Sequence, residues 1–104
     1  MRDGVEQPMN SYEPAEIPVD GTLDLHYFSP REMRELIPDY LDQCMERGIL
    51  QVRIVHGKGT GVLRARVHSI LKRLPCVESF ALAGEGAGGW GATIVRLRPD
   101  WRNK

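Results

Sequence analysis

A short apolar run that ends in a glycine-punctuated turn constrains this chain most. Residues 50–55, Leu-Gln-Val-Arg-Ile-Val, are apolar apart from Gln51 and Arg53 and read as a central, covered strand. His56-Gly57-Lys58-Gly59-Thr60-Gly61 follows, and residues 62–74 then carry Leu63, Val67, Ile70, Leu71 and Leu74 at helical spacing up to Pro75. Strand, glycine turn and helix N-terminus in that order form an anion site. Glycines allow positive φ and close approach of the backbone. The first amides of a helix have no intrahelical acceptor and point outward at the positive end of the dipole. Lys58 adds a mobile charge, and His56 a titratable ring at the strand end. A plain connection between strand and helix does not need a His and a Lys among its glycines.

Two familiar nucleotide loops are excluded. The ATP-binding P-loop wants four residues between its first Gly and its Gly-Lys pair, and here there are none. The dinucleotide fingerprint wants a third Gly where Val62 stands.

The 104 residues predict one domain with one core. Residues 1–19 hold Pro8, Pro14 and Pro18 with several acids, and are expected to be a disordered or loosely docked arm, a candidate contact for a protein partner. Residues 20–99 form the domain, and 100–104 a polar tail. No apolar run approaches the length of a membrane span, and the acidic, Pro-bearing start does not resemble a signal peptide. Cys44 and Cys76 fall at apolar positions and are expected to be buried free thiols. A cytoplasmic protein is the expectation.

Net charge is zero but unevenly spread: −4 over residues 1–20, −3 over 21–49 and +7 over 50–104. The basic half contains the glycine turn, which suggests a polyanionic partner, although a solvated basic face gives similar counts. Arg64 and Arg66 lie in the first two turns of the second helix, where cations oppose the helix dipole. A docked anion would relieve that, as would arginines turned toward water.

Residues 22–28 alternate and predict a first strand, with Asp24 and His26 on one face about 7 Å apart. Ser29-Pro30-Arg31-Glu32 predicts a capping box, Ser29 capping and Pro30 in the first helical position. Met33, Leu36, Ile37, Tyr40, Leu41, Cys44 and Met45 follow as a buried stripe. Pro38 should kink this helix and Gly48 should end it. Its outer face, from Arg34 to Glu46, reads as solvated surface. Residues 76–83 and 92–98 predict an antiparallel hairpin joined by a glycine loop. Trp90 in that loop is either a stacking platform for a base or a lid on the core. The order is therefore β-α-β-α-β-β: an α/β, two-layer sandwich with a mixed four-stranded sheet. A right-handed crossover makes the first two strands parallel, and ligands gather at the carboxyl ends of such strands.

Leu23-Asp24-Leu25-His26, His56-Gly57-Lys58-Gly59-Thr60-Gly61 and Gly88-Gly89-Trp90-Gly91-Ala92-Thr93 resemble, in this order, the three signature segments of the Smr (small MutS-related) domain family. The resemblance covers about residues 20–99. It implies a fold similar to the C-terminal domain of a bacterial translation initiation factor, and binding of DNA or RNA. It also implies nicking endonuclease or RNA-cleaving activity, since several members have one. Some members are fused to mismatch-repair-like ATPases; this chain looks like a stand-alone form. The family's first segment usually continues with Gly after the His, and Tyr27-Phe28 stands there instead.

With the resemblance, the motifs assign candidate roles. His26 suits acid–base work near neutral pH, and Asp24 would orient it or stabilise its charged form, unless the two are a structural polar pair. His56 is a second acid–base group or only a phosphate donor. Lys58 with the amides of the turn, Gly57 to Gly61, would hold phosphate, and Arg64, Arg66 and Trp90 would extend the contact. No cofactor is required by these motifs. Two His and one Asp can take a divalent metal ion, although their spacing does not demand one.

Overall fold

In a computed structural model, the described residues are 18–84 and 91–99. They form β1 (Thr22–Asp24), α1 (Met33–Glu46), β2 (Gln51–Val55), α2 (Val62–Lys72), β3 (Val77–Leu82) and β4 (Ala92–Leu97). The sheet order is β1-β2-β4-β3. β1 and β2 are parallel with Asp24 opposite Val55; β2–β4 and β3–β4 are antiparallel. This is the expected mixed four-stranded α/β sandwich. The parallel pair brings the carboxyl ends of β1 and β2 side by side, where the glycine turn begins.

Burial follows from alternation. Val52 and Ile54 of β2 and Thr93, Val95 and Leu97 of β4 face the helices and are fully buried, while Gln51 and Arg96 are exposed. Met33, Leu36, Ile37, Tyr40, Leu41 and Cys44 of α1 and Val67 and Leu71 of α2 close the core from the other layer. Cys44 and Cys76 are buried free thiols, and burial pushes both pKa values up. Among the described residues no helix is long and apolar enough to cross a membrane.

Two ends of α1 show how local chemistry sets the frame. At its C-terminus Gly48, with φ +77°, donates to Met45 O at 3.0 Å and Ile49 donates to Cys44 O at 2.9 Å. That is the double closure of a Schellman motif, which a left-handed glycine permits. At the other side, the buried Tyr40 hydroxyl accepts from Gly21 N at 3.2 Å and lies 3.1 Å from Thr22 O, tying the domain's entry to α1. Desolvation pushes its pKa up to about 12.

Two expectations need correction. The strand expected over 22–28 stops at Asp24, and Leu25–Tyr27 form a 3₁₀ turn. The Asp24 side chain accepts from His26 N at 2.9 Å, so a local side-chain bond replaces the next rung of the ladder. The capping box does not form. Ser29 makes no side-chain cap bond, Pro30–Glu32 form a separate 3₁₀ turn, and α1 starts at Met33. Pro38 lies inside α1 without ending it.

Candidate phosphate-binding and cleavage site

The 3₁₀ turn changes how Asp24 and His26 meet. On a strand they would stand about 7 Å apart on one face. Here the Asp24 carboxylate accepts from both the His26 amide and His26 Nδ1, the latter at 2.6 Å. Hydrogen bonding from the His26 amide, opposed by slight burial, lowers the Asp24 pKa. An ionised carboxylate can only accept, so Nδ1 carries the hydrogen and Nε2 is the ring's working nitrogen. Nε2 faces the glycine turn: a Cβ on Gly57 would lie 3.7 Å from it. Both side chains remain open, 63% exposed for His26 and 48% for Asp24.

The turn itself is built on two left-handed glycines, Gly57 at φ +81° and Gly61 at φ +90°. Gly59 does not use positive φ, and a Cβ there would meet nothing within 4 Å. Gly61 caps α2; the Thr60 hydroxyl accepts from Val62 N at 3.4 Å, and Ala65 N makes the first intrahelical bond, to Gly61 O at 2.9 Å. Amides ahead of that bond have no intrahelical acceptor. The Arg64 guanidinium folds back over Gly61, its Nη2 2.8 Å from where a Cβ would stand. His56 through Gly61 line a concavity of about 330 Å³ with Pro30, Val62, Leu63, Arg64 and Arg66. An exposed lysine and free helix amides thus share one hollow, with the His56 ring in its floor.

His56 lies beneath the turn. It is 5% exposed, and both ring nitrogens are engaged: Nδ1 with Gly57 O at 3.0 Å, Nε2 with Thr93 Oγ1 at 2.8 Å. His68 Nε2 meets the same hydroxyl at 2.8 Å. The Gly57 carbonyl only accepts, so His56 Nδ1 carries a hydrogen. When Nε2 carries none, it accepts the Thr93 hydroxyl hydrogen, and Thr93 Oγ1 accepts one from His68 Nε2. His68 packs on Phe80 with centroids 4.9 Å apart. Burial, then the electrostatic influence of the neighbouring His56, Arg64 and Lys72, lowers its pKa; the Nε2 hydrogen that Thr93 accepts is available in either protonation state. Gly91 completes the backing. Its carbonyl accepts from His56 N at 3.0 Å and Gly57 N at 2.8 Å, and a Cβ there would press within 3.2 Å of Lys58 Cγ.

The structure therefore brings Asp24, His26, Lys58 and the glycine turn together, with Arg64 and Arg66 at its rim and His56 under it. Trp90 lies outside the described residues. Sequence reasoning passed over Thr93 and His68. The available signal was a hydroxyl on the buried face of β4, which must find a partner. Among the described residues, no three His, Cys, Asp or Glu side chains cluster to hold a metal ion.

Fold and hollow together define a small two-layer α/β domain with a candidate anion site at the carboxyl ends of a parallel strand pair. The chain belongs to the Smr domain family, whose model matches residues 23–98. It is 42% identical over 77 residues to the endonuclease MutS2 of Clostridium novyi and 40% over 79 residues to that of Thermomicrobium roseum. These alignments cover 74% and 76% of this chain but 10% of each relative, so the chain spans about a tenth of their length. The Smr domain of Thermus thermophilus MutS2 superposes with a TM-score of 0.70 at 40% identity, over 75% of this chain and 98% of that one. YdaL, a stand-alone small MutS-related protein from Escherichia coli, gives a TM-score of 0.71 at 29% identity, over 78% of this chain and 66% of that one.

Proposed function

We propose that the domain binds nucleic acid through a phosphate at the glycine turn and cleaves a phosphodiester beside it. The observation that carries this is the Asp24–His26 pair, closed at 2.6 Å, with its free Nε2 directed at Gly57. In this reading Nε2 takes the proton from the attacking hydroxyl, either water or an RNA 2′-hydroxyl. A new P–O bond forms as the bond to the leaving oxygen breaks, and that oxygen takes a proton from solvent. Asp24 stabilises the imidazolium that results. Lys58 and the turn amides hold the phosphate and its developing charge, with Arg64 and Arg66 at the rim. His56 holds the turn in shape from below. The name endonuclease borne by the MutS2 relatives agrees with this chemistry.

One observation favours a second reading, a binding module without cleavage. His56, the other imidazole at the strand ends, is buried with both nitrogens bound, so the hollow offers no second exposed imidazole to protonate the leaving oxygen. Supercoiled plasmid and labelled RNA, each incubated with the protein with and without chelator, separate the two readings. Nicked plasmid or cut RNA supports the nuclease. Salt-sensitive binding with intact substrate in every arm supports the binding module. The chelator arms report whether a divalent ion takes part.

A further inference from the structure

The outer face of α1 reads as solvated surface when the sequence is taken one element at a time. Folding places it opposite the basic side of α2. Between the helices runs a groove of about 910 Å³, lined on one side by Arg31, Arg34 and Pro38 and on the other by Val62, Arg66 and Arg73. All four arginines are exposed, and among the described residues none is held in an ion pair. Glu35 is the one carboxylate in the lining. The groove shares Pro30, Val62 and Arg66 with the hollow at the glycine turn, so the two are continuous. Val62 sits at the junction, 66% exposed.

We propose that this groove carries the single-stranded continuation of a nucleic acid whose phosphate sits at the glycine turn. This rests on the nucleic-acid reading above. Arginine's planar fork matches phosphate oxygens, and four such groups, on α2 and on α1 with the turn before it, form a track rather than a point. Val62 and the prolines give the track apolar ground against which bases lie. Such apolar ground suits a single strand, whose bases are free to lie on a protein surface, rather than a duplex, whose bases are paired inside it. From Val62 to Leu74 the track runs about 18 Å along the helix, room for about five phosphates at the 3.4 Å spacing of a stacked strand. It has a far boundary. Past Pro38 the balance of charge turns acidic, where Asp39, Asp42 and Glu35 outnumber Arg34 in lining the next depression. Carboxylates there repel a phosphate chain and end the footprint.

The test is fluorescence anisotropy with labelled oligothymidylates of three and eight nucleotides. The shorter fills the turn; the longer reaches into the groove. The wild type should bind the longer probe at least tenfold more tightly. The triple variant Arg31→Ala, Arg34→Ala, Arg73→Ala should lose that gain, keep its affinity for the shorter probe, and lower the salt slope for the longer by about two. The corresponding glutamine triple keeps the alkyl stems over the helices and should behave alike, which covers a folding defect in the alanine protein. An unchanged length dependence and salt slope in the glutamine triple, with Lys58→Ala weakened on both probes, would overturn the groove and leave the turn standing. Binding of neither probe by the wild type would overturn the nucleic-acid reading itself. A glutamate octapeptide that binds where the eight-nucleotide probe does not would assign the groove to an acidic protein segment and also overturn the proposal.

Discussion

Replacing Thr93 by Val keeps the shape of the side chain and removes one oxygen. That oxygen is fully buried and stands 2.8 Å from both His56 Nε2 and His68 Nε2. His68 is only partly buried and can turn to water. His56 cannot, because it is 5% exposed and its other nitrogen is bonded to Gly57 O. One buried ring nitrogen is thus left without a partner, which costs about 1–3 kcal/mol. For a domain of this size that lowers the melting temperature by at least about 4 °C. Thr93→Ser retains the hydroxyl and should recover most of the loss. Urea unfolding followed by circular dichroism, with oligonucleotide affinity measured alongside, reads both effects. Affinity should fall with Thr93→Val, since the ring that holds the Gly57 carbonyl then lacks its anchor on β4 and supports the turn above it less rigidly. A Thr93→Val protein as stable as wild type would show that the hydroxyl does not hold the two rings, and the account of the turn's support would fail.

Gly59→Ala should leave stability unchanged or raise it by about 0.4–1 kcal/mol, since its Cβ meets nothing, yet weaken oligonucleotide binding several-fold by blocking phosphate approach. Gly61→Ala should instead lose roughly 1–2 kcal/mol through its positive φ, and the reverse order of stabilities would contradict the turn geometry. Stability should fall as pH drops below 6.5, the ordinary His value. The lowered His68 pKa means the unfolded chain takes up the proton first, so this contribution is present above 6.5 and lost toward the folded value. His68→Gln should flatten that part of the profile, and urea midpoints at pH 7.5 and 5.5 that drop equally in both proteins would count against it. Asp24→Asn keeps an acceptor for the His26 amide but loses the charge that stabilises the imidazolium. It should remain folded and lose cleavage by on the order of 10²–10⁴-fold, measured as initial rates; a near-wild-type rate would reduce Asp24 to a cap.

Most of the frame was legible because it rests on periodicity. The apolar run ending at Val55, the stripe from Met33 to Cys44 and the alternation of Thr93, Val95 and Leu97 each bury the residues that their period selects. The element order and strand pairing followed from connection lengths. The misses came where a side chain competes with the backbone. Leu23, Leu25 and Tyr27 alternate like a strand, yet Asp24 bonds the amide two residues on and bends the chain into a turn, a habit of Asp that alternation does not register. The Asp24–His26 contact is consequently closer than a strand allows. Thr93, His68 and Gly91 contribute through partners 25 to 37 residues distant, or by backbone proximity to Lys58, which no local pattern encodes. The arginine groove was hidden for the same reason: Arg31 and Arg34 belong to a segment of net charge −3, and only packing sets them against Arg66 and Arg73.

If His26 performs the chemistry while the glycine turn binds, His26→Ala separates the two. Nicking of supercoiled plasmid, or cleavage of labelled RNA, is followed under conditions where the wild type cuts. Affinity for the same substrate is measured in parallel. The variant should stay folded, bind with a dissociation constant within a few-fold of wild type, and no longer cleave. A folded His26→Ala protein that cleaves at the wild-type rate would contradict that role for His26.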